Sequence, residues 1–220
     1  MGCPSPHYGG YLMKLLGQLD SPYVRRVAIS LHLQRLPFEH VPLSVFSTFD
    51  QFAEINPVVK APTLVTDEGI ALMESSLILE YADLVAEPEL KLTPARREDR
   101  VVALRVVGLA LIACEKAVQF VYECKLRPKE KRHSPWLDRV SRQLETAFSL
   151  LEQEYEDASE WRFGSQLHQA DVSTAVAFRF ALEALPGVFN ASKYPALAAF
   201  SKRAEETESF RAYPFDTEAT

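Results

Sequence analysis

Residues 14–31, KLLGQLDSPYVRRVAISL, decide how the fold begins. A short apolar run over residues 14–18 is interrupted by Asp20, Ser21 and Pro22. Beyond the interruption, apolar residues recur at helical spacing, at Val24, Val27, Ala28 and Leu31. Serine is a favoured N-cap, and proline fits the first helical position because its missing N–H costs nothing there. We therefore expect a strand, a loop and a helix that begins at Ser21.

The next segments predict a small mixed sheet. Residues 38–43 predict a second strand, and a strand, helix, strand order with short connections implies a parallel, right-handed crossover. Residues 49–55 form a weakly patterned helical segment. Residues 63–66 and 70–73 predict two more strands around the tripeptide DEG at 67–69, a hairpin with glycine where a positive φ is often needed.

A helix that opens near Ser75 completes the first half of the chain. Its apolar face consists of Leu77, Ile78, Tyr81, Leu84 and Val85. The resulting order is βαβαββα, and Pro88 and Pro94 punctuate the chain after it. We therefore expect an α/β domain over residues 13–92, with a boundary near Leu92.

Everything beyond Pro94 predicts helix. One long helix covers residues 96–122, and two others cover residues 169–185 and 195–206. Between them, a further helix carries one continuous apolar stripe, formed by Leu137, Val140, Leu144, Phe148, Leu151 and Tyr155. Residues 93–220 are therefore expected to form an all-helical bundle.

Composition excludes several classes of function. The net charge of −6 provides no general attraction for nucleic-acid phosphates. The odd number of cysteines, without a CxxC pair, favours a reducing compartment. No run of 18 apolar residues and no secretory signal occurs, so we expect a soluble, cytoplasmic protein without a membrane partner. The five histidines show no ligand spacing and predict no metal site. Residues 1–12, rich in glycine and proline, are expected to be a tag or a disordered leader.

Three segments resemble the glutathione transferase superfamily in their order and spacing. They are SPYVRRV at residues 21–27, KAPTL at 60–64 and MESSLILEYAD at 73–83. With the helical second half, the resemblance covers nearly the whole chain after residue 12. It implies a thioredoxin-like N-terminal domain that binds glutathione, followed by a helical domain that supplies most of the second-substrate pocket. It also implies a homodimer.

The resemblance implies a glutathione site around a cis proline. Pro62 takes the place of that proline, and the backbone of Ala61 would pair with the cysteinyl part of glutathione. Glu74 and Ser75 match the acid and hydroxyl that hold the γ-glutamyl end, and Lys60 could meet the glycine carboxylate. Taken alone, the same residues could be a trans proline at a strand start, a solvated acid, a simple N-cap and an exposed lysine.

Ser21 occupies the position where the family places its catalytic hydroxyl or cysteine. A hydroxyl that donates a hydrogen bond to sulfur favours the thiolate, which is the nucleophile. The same hydroxyl could instead only cap the first helix. Because a mixed disulfide cannot form on serine, thiol transfer is disfavoured, whereas conjugation, isomerisation and lyase chemistry stay open. Tyr23 could shape the pocket or be a buried aromatic residue.

The long helix after Pro94 is expected to line the second-substrate pocket, through Leu109, Ala113 and Tyr122. Arg105, Glu115 and Lys116 interrupt its apolar middle, which either dimer contacts or a polar pocket wall would explain.

In the resembled family, a Ser or Thr cap lies three residues before a buried Asp at the start of a later helix. Here those positions hold His168 and Asp171, so the cap is weakened, and we expect Asp171 to serve folding.

Two functions follow as hypotheses. The first is a glutathione transferase that adds the sulfur of glutathione to a small hydrophobic electrophile, as in detoxification. The alternative is a glutathione-transferase-like binding or interaction module without turnover.

Overall fold

The computed structural model describes residues 12–158 and 160–216. The leader expected over residues 1–12 lies outside the described residues, apart from Leu12. Among the described residues, no helix combines the length and the apolar character needed to cross a membrane.

The N-terminal half contains a four-stranded mixed sheet. Its strands are β1 (Met13–Leu16), β2 (Phe38–Val41), β3 (Thr63–Val65) and β4 (Ala71–Met73), in the spatial order β2-β1-β3-β4. β1 pairs parallel with β2 and antiparallel with β3, and β3 pairs antiparallel with β4. The predicted parallel crossover and hairpin are confirmed.

Three helices accompany the sheet: α1 (Pro22–Leu33), α2 (Phe49–Ile55) and α3 (Ser75–Val85). Ser21 is the N-cap of α1, as the sequence predicts. The shared core is formed by fully buried apolar side chains, namely Leu15, Val24, Val27, Ala28, Leu31, Leu64, Ile78 and Ala82. The order βαβαββα is confirmed.

The second half is helical, as predicted. It consists of α4 (Arg97–Lys125), α5 (Ser134–Tyr155), α6 (Gln169–Ala184), α7 (Pro195–Glu205) and the short α8 (Glu208–Ala212). The predicted stripe of α5 faces the core, where Val140, Leu144, Phe148, Leu151 and Tyr155 are buried.

Several element ends differ from the sequence-based bounds for local reasons. β2 ends at Val41 rather than at residue 43, because Pro42 has no N–H for the ladder. β1 ends before Gly17, whose φ of 131° lies outside the strand region. A Cβ at Gly17 would approach Val24 Cγ2 to 2.5 Å, so glycine lets this turn pass close to α1.

Buried polar contacts join α1 to the helical half. Both Nη atoms of Arg25 donate to the Glu205 carboxylate at 2.7 and 2.6 Å, and its Nε donates to the Tyr213 carbonyl at 2.8 Å. A second link between the two halves does not involve α1: the Gln169 N–H at the start of α6 donates to the Leu92 carbonyl at 2.9 Å. The division of the chain near Leu92 stays a prediction.

Asp171 organises the start of α6. It is fully buried, and its carboxylate accepts hydrogen bonds from the backbone N–H groups of His168 and Arg162, both at 2.9 Å, and from the Tyr155 hydroxyl at 3.2 Å. The His168 ring instead pairs with the Gln166 carbonyl at 2.9 Å. The weak cap expected at His168 is therefore offset by the acid three residues later.

Candidate active site

A cavity of about 1140 Å³ lies between the sheet half and the helical half. Its walls come from the start of α1, the loops at residues 43–47 and 59–62, the start of α3 and the C-terminal half of α4. Phe180 of α6 and Phe215 of the C-terminal segment close a further side. Most of the residues predicted to form the site line this one cavity.

Ser21 lies in the cavity wall at the first turn of α1. Its backbone is extended, with φ −72° and ψ 121°, and its Oγ accepts a hydrogen bond from the Val24 N–H at 3.4 Å. A hydroxyl can accept and donate at the same time, so capping leaves the hydroxyl proton available to a ligand. The positive end of the α1 dipole also points at this position. The capping role and the proposed catalytic role are therefore compatible.

The loop that carries Lys60, Ala61 and Pro62 lines the same cavity. The Ala61–Pro62 peptide bond is cis, which confirms the prediction. The Thr63 hydroxyl donates to the Lys60 carbonyl at 2.6 Å, and the buried Asn56 amide donates to that hydroxyl at 2.7 Å. These two hydrogen bonds fix the loop from behind. Lys60 is exposed, so its side chain is free to reach over the rim.

Glu74 and Ser75 occupy the junction of β4 and α3. Glu74 adopts a φ of 74°, which costs a non-glycine residue on the order of 1–3 kcal/mol. In this conformation its carboxylate accepts from the Ser76 N–H at 3.1 Å and from the Ser75 hydroxyl at 3.3 Å. An exposed carboxylate and a buried hydroxyl thus stand side by side at a helix N-terminus in the cavity wall.

Of the predicted pocket residues, Tyr23 and Tyr122 line the cavity, whereas Leu109 and Ala113 do not. Ala113 is fully buried in the helical core, and Leu109 packs against that core. The stripe of α4 that faces the cavity consists of Leu111, Ile112, Glu115, Val118, Gln119, Val121, Tyr122 and Lys125, and Leu126 lines the cavity directly after the helix. Ala113 lies one residue beyond this stripe, and one residue turns the side chain by about 100° around the helix axis.

The polar residues that interrupt α4 lie in different surroundings. Glu115 lines the cavity and forms an ion pair with Lys116 at 2.8 Å, so the polar pocket wall is the explanation that applies to it. Arg105 instead forms an ion pair with Glu154 of α5.

Burial sets the protonation of the cavity wall. It raises the pKa of the Tyr23 phenol well above its usual value, with Cys114 and Glu115 as smaller causes. It also raises the pKa of Tyr122, with a smaller contribution from the charge of Asp20. Both phenols are therefore neutral hydrogen-bond donors at physiological pH. The pKa of Asp20 itself is raised by burial, against the hydrogen bond from the Ser21 backbone.

Comparison with known proteins identifies the fold. Residues 15–89 match the family model of the glutathione S-transferase N-terminal domain. The structure also matches a glutathione S-transferase of Methylobacterium radiotolerans, crystallised with glutathione sulfonate, with a TM-score of 0.85 and 26% identity. That match covers 94% of this chain and 97% of the other. The chain is therefore similar to glutathione transferases along nearly its whole length, and residues 15–89 match their N-terminal domain. The thioredoxin-like sheet domain followed by helices, predicted from the sequence, is the fold of these glutathione transferases.

Two curated relatives extend the likeness to other glutathione transferase sequences. The uncharacterised GST-like protein YibF of Escherichia coli (strain K12) is 37% identical over 73 residues, which are 33% of this chain and 36% of YibF. This match thus spans about a third of the relative's length. Glutathione S-transferase Z1 of Arabidopsis thaliana is 27% identical over 207 residues, 90% of each chain.

Some residues of this candidate site carried no recognisable sequence signal. Phe46 of the 43–47 loop contacts Tyr122 edge to face, with ring centroids 5.9 Å apart. Phe215 lies beside Phe180, with ring centroids 6.4 Å apart. Both reach the cavity from segments without a periodic pattern. Asp20 could have been found, because it directly precedes Ser21.

Proposed function

We propose that this chain is an enzyme that binds glutathione in the cavity, favours its thiolate form and directs the sulfur at a small hydrophobic electrophile. The observation that supports this most strongly is the convergence of Ser21, the cis Pro62 loop and the Glu74–Ser75 junction on one wall. The M. radiotolerans relative was crystallised with glutathione sulfonate, which supports a glutathione-type ligand here.

Glutathione would lie along this wall with its sulfur at Ser21. The Glu74 carboxylate suits the γ-glutamyl ammonium, and the Ser75 hydroxyl with the α3 N-terminus suits the neighbouring carboxylate. The backbone of Ala61 would pair with the cysteinyl unit, and Lys60 would meet the glycine carboxylate. Each charged group of the tripeptide then has a partner of opposite charge or a hydrogen-bond donor.

Ser21 would act as an activator and not as the nucleophile. Its hydroxyl donates to the sulfur, the thiol proton leaves to solvent, and the thiolate forms the new bond to the electrophilic carbon as the leaving group departs. A free thiol has a pKa near ~8.5, and lowering it by about two units corresponds to roughly 2.7 kcal/mol of preference for the thiolate. The α1 N-terminus contributes in the same direction.

The electrophile would occupy the part of the cavity nearest α4. Aromatic side chains of Tyr23, Phe46 and Tyr122 line that region and suit a small apolar molecule. The cavity volume of about 1140 Å³ lies above the range of a typical ligand pocket, roughly 300–1000 Å³, which supports a second ligand beside glutathione.

We also place the active protein in the cytoplasm as a homodimer. Large apolar side chains on α3 and α4 are exposed in the single chain: Leu77 at 58%, Leu84 at 77%, Val101 at 62% and Leu104 at 65%. Exposed apolar surface of this kind favours burial against a second copy. Sedimentation velocity tests the dimer.

The enzymatic proposal is tested by comparing the wild type with Ser21→Ala and Ser21→Thr. Turnover is measured with glutathione and a panel of aryl halides, epoxides, enones and peroxides, and glutathione affinity by calorimetry. We expect Ser21→Ala to lose about 10–100-fold in kcat with glutathione affinity kept within about threefold. Ser21→Thr preserves both the hydroxyl and the cap and should retain most activity. A wild type that binds glutathione and turns over nothing in the panel would favour the non-catalytic module instead.

A further inference from the structure

Arg26 is a buried cation directly behind the start of α3. Only 2% of it is exposed, and its Nη1 donates to the hydroxyls of Ser75 at 2.9 Å and Ser76 at 3.4 Å. Its Nε is buried and has no hydrogen-bond partner within residues 12–158 and 160–216. The guanidinium is thus held by neutral hydroxyls rather than by a hydrogen-bonded carboxylate.

Such an arrangement is unfavourable unless something compensates for it. Burial lowers the pKa of the Arg26 guanidinium to about 10, and the neighbouring acidic groups of Cys114, Glu74 and Tyr23 oppose this shift. At neutral pH the group is still a cation. A buried charge without a directly hydrogen-bonded counter-ion destabilises a fold, and an apolar side chain of similar size would often be tolerated better. An anion that binds at the neighbouring cavity wall would supply the missing compensation.

The neighbouring wall is Ser75, which lies between Arg26 and the cavity. Its Oγ accepts from Arg26 at 2.9 Å and donates to the Glu74 carboxylate over a long 3.3 Å. A hydroxyl that accepts from a cation is a stronger donor in its turn. A ligand carboxylate at this wall can accept the hydrogen bond that the Ser75 hydroxyl otherwise donates to Glu74. A ligand ammonium can then pair with the Glu74 carboxylate.

We propose that Arg26 is a positioning residue that acts through Ser75 to select the α-carboxylate of the γ-glutamyl group. The proposal rests on the glutathione function put forward above and adds the source of its carboxylate selectivity. Arg26 itself touches no ligand. Glu74 selects the ammonium, and the two neighbouring groups together require a zwitterionic amino-acid end.

The test compares glutathione with two analogues by calorimetry. The decarboxy analogue, 4-aminobutanoyl-Cys-Gly, lacks the α-carboxylate, and the deamino analogue, glutaryl-Cys-Gly, lacks the α-amino group. We expect the wild type to bind each analogue at least about 10-fold more weakly than glutathione. Arg26→Met should bind glutathione about 10–30-fold more weakly and discriminate against the decarboxy analogue by less than about threefold. Its discrimination against the deamino analogue should persist.

Two further variants separate positioning from folding. Arg26→Lys retains the charge but not the guanidinium fork, so its decarboxy discrimination should lie between those of the wild type and Arg26→Met. Arg25→Lys is the matched control, because the guanidinium of Arg25 binds Glu205 and the Tyr213 carbonyl instead of the cavity wall. It should keep wild-type discrimination against both analogues. The urea midpoint of each variant reports folding, and Arg26→Lys carries the comparison if Arg26→Met does not fold.

The outcomes distinguish the two proposals. Full discrimination against the decarboxy analogue in a folded Arg26→Met or Arg26→Lys would overturn the role of Arg26 and leave the glutathione function standing. A wild type that binds glutathione but accepts the decarboxy analogue equally well would overturn the carboxylate subsite. A wild type that does not bind glutathione would overturn the proposed function and this inference with it.

Discussion

Replacing Asp171 by asparagine should destabilise the protein through one orphaned hydrogen bond. In the folded chain Oδ1 accepts from Arg162 N–H and the Tyr155 hydroxyl, and Oδ2 accepts from His168 N–H. Asparagine can keep only one oxygen, so its NH₂ group would face the His168 N–H as a second donor. A buried unsatisfied donor costs about 1–3 kcal/mol, and the two remaining bonds lose their charge assistance.

The desolvation of the buried Asp171 carboxylate reduces the loss of stability expected for Asp171→Asn. Burial raises the pKa of Asp171 against three hydrogen bonds and the nearby charge of His168, which shows that the ionised carboxylate carries a desolvation cost. We therefore expect Asp171→Asn to lower the free energy of unfolding by about 2 kcal/mol, and Asp171→Ala, which orphans three donors, by about 4 kcal/mol. For a chain of this length, the first change corresponds to a Tm about 4–8 °C lower.

Urea unfolding followed by circular dichroism measures both changes, with linear extrapolation to water. Asp157→Asn is the control, because it removes an exposed carboxylate near the end of α5 and should alter stability by less than about 0.5 kcal/mol. An Asp171→Asn protein as stable as this control would refute the hydrogen-bond reasoning.

Two other substitutions, Gly17→Ala and Asp20→Asn, test residues that lie close to Ser21 in the chain. Gly17→Ala should cost about 2–4 kcal/mol in urea unfolding, because it places a Cβ 2.5 Å from Val24 Cγ2 at a φ of 131°; a loss below 1 kcal/mol would show that α1 shifts freely. Asp20→Asn tests the carboxyl group of Asp20, whose pKa burial raises above its ordinary value of 3.8. The folded state then binds the proton more tightly, so the contribution of Asp20 to stability falls as pH rises from 3.8 through the folded pKa and is constant above it. The Asp20→Asn variant should be at least as stable as the wild type at pH 7, and its stability should lack the fall that Asp20 contributes over the pH range in which it titrates. A stability profile across pH identical to that of the wild type would contradict this prediction.

The sequence predicted the framework because its signals are local. Ser21 followed by Pro22 marks the start of α1 without help from distant residues, and the stripe of α5 fixes which face is buried. The cis Pro62 and the Glu74–Ser75 junction were located through the resemblance of short motifs to a known superfamily.

The rest of the site depends on distances that a sequence does not contain. The rotation of α4 is set by its packing against α5 and α6, so Ala113 turns into the core while Glu115 faces the cavity. Phe215 reaches the cavity because Arg25 Nε donates to the Tyr213 carbonyl and so anchors the preceding segment to α1. The burial of Arg26 behind Ser75 likewise appears only when α1 and α3 are packed together.

The most direct measurement is the pKa of the glutathione thiol in its complex with the wild-type protein. Ultraviolet difference absorbance of the thiolate, recorded across pH with enzyme in excess, reports this value. We expect a pKa about two units below the ~8.5 of the free thiol, and a return to within about half a unit of the free value in Ser21→Ala. A bound thiol that titrates like free glutathione in the wild type, or an equally low pKa in Ser21→Ala, would contradict activation by this serine.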